Sequence, residues 1–157
     1  MQASWPLKKN ILMKKAIMLI AYLLFSITSF SQTSDGVLGK WQNPSGEGRI
    51  EITKSGDKYY GKLYWLKQPD DDSGQPKKDT KNPDEAKRSR TIQGTQILEG
   101  FTRKGDNMYE GGTIYDPKSG KTYSCKMTLK GDKLDIRGYM GVSLLGRTET
   151  WTRVKGQ

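Results

Sequence analysis

Residues 122–139 read TYSCKMTLKGDKLDIRGY, and their pattern decides the fold. In residues 122–129 the side chains alternate. Tyr123, Cys125, Met127 and Leu129 fall on one face, and Thr122, Ser124, Lys126 and Thr128 on the other. Successive side chains of extended backbone point to opposite sides, so this is a strand with one buried face. Lys130-Gly131-Asp132 is a hairpin turn, and residues 133–139 pair back with Leu134 and Ile136 inward.

The same grammar runs outward in both directions. Upstream, Asp116-Pro117-Lys118-Ser119-Gly120 is a strong turn, because proline presets φ and glycine accepts φ > 0. It follows a run at 108–115. Residues 105–107 turn the chain from a run at 97–104. Farther upstream come runs at 59–66, at 49–54 with Ile50 and Ile52 on one face, and at 38–43. Downstream, residues 140–146 bridge to a last run at 147–154. No segment of this region sustains a 3.6-residue period. The prediction is eight antiparallel strands in sequence-adjacent hairpins, an all-β, eight-stranded up-and-down barrel, which leaves no exposed sheet edge. A two-sheet sandwich is the structural alternative. An eight-stranded barrel has room for packed side chains or one small ligand.

Between the third and fourth runs the pattern breaks. Residues 67–90 are polar and basic, and Pro69, Pro76 and Pro83 punctuate them. A loop of this length in a compact domain is usually functional or mobile. It is expected to carry one helical turn at 84–88, to be the first site of proteolysis, and to act as a lid.

The 157 residues suffice for one domain. Residues 1–31 are read as a secretory signal peptide and 32–157 as a single barrel domain. Lys14 and Lys15 precede an apolar run from Ala16 to Phe25, and small residues at Ser29 and Ser31 set cleavage after Ser31. Translation from Met13 would supply the whole signal. The apolar run is shorter than the ~20 residues a transmembrane helix needs, so the mature chain is expected to hold no transmembrane segment. Export to the periplasm or the exterior follows.

The full chain has a formal charge of +10. Without residues 1–31 it has 23 bases against 17 acids, a net +6. The two signs are interspersed, which reads as a solvated surface with some attraction for anionic lipid, polysaccharide or an acidic ligand. Lone Cys125 alternates with apolar residues and reads as a buried hydrophobe; no disulfide can form within one chain.

The residue inventory removes most chemistry. There is no histidine, so no Ser-His-Asp triad, no Cys-His pair and no imidazole zinc site. One cysteine excludes a thiolate metal cluster. Asp70-Asp71-Asp72 begins like a calcium loop, but Lys81 stands where its terminal Glu belongs. No metal, cofactor or catalytic residue is assigned. Paired carboxylates among Glu47, Asp84, Glu99, Glu110, Asp116 and Glu149 leave glycoside hydrolysis as a minor alternative. Strand alternation spreads Tyr59, Tyr60, Lys62, Tyr64 and Trp65 over both faces, which argues against nucleic-acid binding.

Four segments, taken together, resemble the bacterial family called domain of unknown function 2147. They are Asn82-Pro83-Asp84; residues 111–117 (GGTIYDP); residues 120–125 (GKTYSC); and Arg137-Gly138-Tyr139 running on to residues 146–151 (GRTETW). The resemblance spans Gly39 to Val154 and implies an exported protein with a lipocalin-like barrel. It implies no activity. One departure stands out: Lys87 precedes Arg88-Ser89-Arg90 where the family carries an apolar residue, so this loop is expected to dock less firmly. Gly39-Lys40-Trp41 likewise resembles the Gly-x-Trp that opens calycin barrels. That pattern implies closure of the barrel end by an arginine of the last strand lying across Trp41, and Arg153 is placed for it. Arg147, at the strand start, is expected at the opposite end.

The first functional reading is a barrel that binds a small hydrophobic, lipid-like or anionic ligand as a monomer, with no nucleic acid. Aromatic and arginine side chains expected at its mouth are Tyr64, Trp65, Arg88, Arg90, Tyr115, Arg137 and Tyr139. The alternative is an envelope module that binds polysaccharide or protein.

Overall fold

The computed structural model describes residues 35–156, so the expected signal peptide lies outside the described residues. Eight strands form a closed antiparallel barrel in chain order. They are β1 (Gly39–Gln42), β2 (Gly48–Ser55), β3 (Lys58–Leu66), β4 (Gln96–Arg103), β5 (Met108–Asp116), β6 (Lys121–Lys130), β7 (Lys133–Tyr139) and β8 (Arg147–Arg153). Closure excludes the sandwich. Each strand lies within a residue or two of the run that predicted it. The hairpin at the centre of the prediction forms with Leu129 opposite Leu134 and Met127 opposite Ile136.

The up-and-down order sends the β2–β3, β4–β5 and β6–β7 turns to one end. The β1–β2, β3–β4, β5–β6 and β7–β8 connections gather at the other. The first end is filled. Trp41, Tyr59, Phe101, Tyr109, Met127 and Leu134 are buried there, and Tyr59 meets Tyr109 edge to face with centroids 4.9 Å apart. Such a contact adds to what the buried area alone contributes. Gly112 makes the packing feasible, because a Cβ there would run into the Phe101 ring. The chain ahead of β1 plugs this end. Val37 is fully buried, and Asp35 accepts hydrogen bonds from Lys54 (2.8 Å) and Arg103 (2.9 Å).

The β1–β8 seam is short, with Trp41 opposite Arg153 and Gln42 opposite Thr152. Side chains reinforce it. The Arg153 guanidinium carbon lies 4.2 Å from the Trp41 ring centroid. Its Nη1 donates to the Leu38 carbonyl at 3.0 Å and its Nη2 to that of Gly36. The Trp41 indole N–H donates to the Val37 carbonyl at 2.8 Å.

The long connection departs from the loosely docked loop that the sequence suggested. It contains a short 3-10 turn, Glu85–Lys87, capped by the Asp84 side chain. Its anchor is Asp79, fully buried although charged. The Asp79 carboxylate accepts from Tyr115 Oη (2.5 Å), Asn82 Nδ2 (2.8 Å), and Arg90 Nε and Nη2 (3.1 and 2.9 Å). A buried charge survives only when it is paired and hydrogen-bonded, and this one has four donors. Lys87, the residue that suggested weak docking, faces outward and bonds Asp84 at 3.0 Å. The anchoring of this connection is polar. A periodicity reading finds apolar faces and cannot find such an anchor.

Candidate functional site

The filled end and the opposite end differ because their inward residues differ in bulk. Toward the β1–β2 and β5–β6 turns, the inward positions pass from large aromatics to Ile50, Leu63, Ile97, Ile114 and Ile136, and to Gly48 and Gly138. Trp151 and Tyr123 complete the wall. The result is a cavity of about 950 Å³ open at this end, within the range of small-molecule sites. At Gly138, opposite inward Cys125, a Cβ would stand 3.5 Å from Ile114, an ordinary contact. The glycine leaves volume that a side chain would take.

The rim is charged. Glu47, Lys77, Asp116, Lys118, Arg147 and Glu149 contribute to it. Lys118 on the β5–β6 turn donates to Glu47 on the β1–β2 turn at 2.7 Å. In an eight-stranded barrel these turns lie across from one another, so the pair spans the mouth. The hydrogen bond from Lys118 holds the Glu47 carboxyl below its ordinary range, the wrong direction for the general acid of a glycosidase. Asp116 caps its own turn, accepting from the Lys118 backbone N–H (3.0 Å) and from Ser119 Oγ (2.6 Å). Arg147 and Glu149 are two apart on β8, so they share the inward face with Trp151. The Trp151 indole N–H is buried and has no hydrogen-bond partner among the described residues.

Of the seven residues expected at the mouth, Tyr115 lines the cavity. Its hydroxyl is committed to Asp79. Burial, helped by the Asp79 hydrogen bond and charge, pushes its pKa up to about 12. Arg90 neutralises Asp79 from the loop side. Arg88 donates to the Asn82 carbonyl (2.8 Å) and to Glu85 (3.0 Å), holding the 3-10 turn. Tyr64 and Trp65 lie outside the cavity lining; the Lys40 ammonium sits 5.1 Å from the Tyr64 ring centroid and the Arg49 guanidinium 4.4 Å from that of Trp65. Arg137 points away from the cavity and ties down the β7–β8 loop through the carbonyls of Ser143 (2.8 Å) and Leu144 (2.9 Å). Tyr139 is half-buried opposite Ser124, also outside the lining.

Arg147, Glu149, Lys118 and Tyr123 were not among the residues expected at the mouth, yet they are part of its wall. The signal for two of them lay in residues 147–154, RTETWTRV. Trp151 marks the inward face, and the two-residue period carries it to Glu149 and Arg147. Cys125 is fully buried, and burial pushes its thiol up to about 12. Asp71 accepts from Ser73 N (2.9 Å), Ser73 Oγ (2.6 Å) and Gln75 N (3.1 Å), making the acidic run a self-satisfied turn. No helix among the described residues is long and apolar enough to cross a membrane.

The family model for DUF2147, described as an uncharacterized protein conserved in bacteria, matches residues 39–153. A solved structure with a similar fold is protein HP1028 of the human pathogen Helicobacter pylori, described as belonging to the lipocalin family. The two share 25% sequence identity at a TM-score of 0.66, over 75% of this chain and 82% of that one. No curated protein matches the sequence.

Proposed function

The chain belongs to the DUF2147 family, and from that premise we propose that its barrel binds one small amphipathic, lipid-like molecule in the open cavity. The observation that carries this reading is the division of the interior. One half is filled by aromatic residues, while the other keeps about 950 Å³ behind apolar walls and a charged rim. A barrel that served only as a scaffold would gain stability by filling that volume, since unfilled apolar space forfeits dispersion contacts. The lipocalin family to which the Helicobacter pylori protein is assigned is in keeping with the reading. An apolar tail would lie along Ile50, Leu63, Ile114 and Ile136. A polar or anionic head would meet Arg147 and the Lys118–Glu47 pair at the rim. Tyr115 forms part of the wall, and Arg153 over Trp41 closes the far end. The protein acts as a monomer outside the cytoplasm.

The test is native mass spectrometry of protein purified from its own envelope, followed by displacement of a fluorescent fatty acid. Gly138→Leu is built to fill the cavity where contacts are ordinary. The expected result is a reproducible bound mass in the wild type, absent from the variant, with both proteins unfolding at similar urea concentrations. Fatty-acid binding that is unchanged by Gly138→Leu would place the ligand elsewhere and overturn the reading.

A further inference from the structure

We propose that the β7–β8 loop docks the open end of the barrel on an anionic lipid surface. This inference concerns the outside of the protein and does not depend on what occupies the cavity. Met140, Val142, Leu144 and Leu145 are 70%, 62%, 85% and 81% exposed. They are four of the five large apolar side chains that the described residues expose, and they fall within six consecutive positions. None of them lines the cavity, so they are not part of the ligand wall. Nor is the loop slack. Arg137 grips two of its carbonyls and also Thr148 Oγ1 (2.8 Å), and residues 143–145 form a 3-10 turn. A rigid tip that holds apolar side chains in water has an apolar partner.

Two observations select a lipid surface. The first is charge. The strand registers bring cations to the outer face beside this tip: Lys126 lies opposite Arg137. Lys121, the first residue of β6, stands at the same end of the barrel on the strand next to β7. Neither Lys121 nor Lys126 has a carboxylate within salt-bridge distance among the described residues. Asp116 lies opposite Lys121, but its carboxylate is taken by the Lys118 backbone N–H and Ser119 Oγ, and Glu149 lies with Arg147 in the cavity wall. An apolar tip with lysines beside it fits acyl chains below anionic headgroups. The second observation is size. Four such side chains offer at most about 400 Å², half of the ~800 Å² per partner that a stable protein interface needs. A protrusion this small gains little against a second copy of the chain. It gains fully in a fluid bilayer, which reshapes around it.

Cosedimentation with vesicles tests the proposal. The protein is expected to pellet with phosphatidylcholine vesicles containing about a quarter phosphatidylglycerol, and far less with phosphatidylcholine alone. Leu144→Ser combined with Leu145→Ser should lower the partition coefficient at least about tenfold. Lys121→Gln should lower it about fivefold, less so as salt rises. Both leucines are exposed, so circular dichroism should show an unchanged fold. In Leu144→Trp, tryptophan emission should shift to the blue when anionic vesicles are added. Absence of pelleting, equal pelleting on both vesicle types, or pelleting indifferent to the leucine substitutions would each overturn the proposal. So would a wild-type dimer, seen by analytical ultracentrifugation, that the double substitution dissolves without any lipid binding.

Discussion

Replacing Arg153 by Met keeps the stem over the Trp41 ring and removes the guanidinium. The structure sets the expected cost. Two charge-assisted hydrogen bonds, to Leu38 and Gly36, are lost. At about 1.5 kcal/mol each, the low end for charged donors, they come to about 3 kcal/mol. The cation over the indole face, 4.2 Å from the centroid, adds about 1 kcal/mol at this partly buried site. Trp41→Phe removes the bond to Val37 and leaves a small void, together about 2–3 kcal/mol. Only the cation–ring contact is shared between the two positions. A double-mutant cycle read by urea unfolding should therefore return a coupling of about 1 kcal/mol. Either single variant should remain folded, since domains of this size have about 5–15 kcal/mol of stability. Arg147→Met serves as the control; it lies at the other end of β8 and should show no coupling to Trp41. A Trp41–Arg153 coupling below about 0.4 kcal/mol, the usual scatter of independent sites, would refute the idea that this pair closes the barrel. Equal coupling for Arg147 would refute the assignment of the two ends.

Asp79→Ala strands the four donors of Tyr115, Asn82 and Arg90 and should destabilise the protein by about 3 kcal/mol, the low end for a broken buried pair because Arg90 can reach water; trypsin should then cut between Lys77 and Arg90 first, where the wild type resists. The same network shapes the pH response. Tyr115 has its folded pKa raised to about 12, so its contribution is complete below its ordinary value of about 10 and is lost as pH rises through 12. Asp79 is shifted the other way: burial raises its pKa, but the bonds from Tyr115, Asn82 and Arg90 outweigh this and leave it lowered. Its contribution is present above about pH 3.9 and is lost as pH falls through the depressed value. Urea midpoints against pH should be flat from about pH 5 to 9, with the alkaline limb displaced in Tyr115→Phe. Gly120→Ala should cost more than the ~1–2 kcal/mol of a left-handed backbone, because φ there is +72° and a Cβ would strike the Lys81 carbonyl; thermal unfolding measures the loss. The Cys125 thiol should not react with a disulfide reagent until the protein unfolds, a difference visible as a lag in the absorbance trace.

The strands and turns were legible because each rests on neighbours along the chain. The two-residue period in TYSCKMTL, the Gly131 and Gly120 turns and the Pro117 start are local facts, and eight such runs without a helical period leave few topologies open. The resemblance of Gly39-Lys40-Trp41 to the start of calycin barrels implied an arginine across Trp41, and position near the chain end chose Arg153 over Arg147. Local pattern could not weigh the interior. Whether an inward isoleucine fills space or borders a cavity depends on what seven other strands put at the same height, and here Gly48, Gly138 and the isoleucines coincide at one end. Nor could it place the arginines. Arg88 and Arg90 read as ligand contacts because an arginine in a loop has no period to betray its partner, whereas Arg137 stands on β7, where the period that turns Leu134 and Ile136 inward turns it outward. The partners of these arginines are backbone carbonyls, a nearby glutamate and a buried aspartate, which the closed barrel and its docked loop bring within reach. Asp79 is the sharpest case. Nothing in its neighbours along the chain says that it is buried, because its burial is made by Tyr115, 36 residues away on β5. A charge is stable there only once the tertiary structure has assembled all its donors.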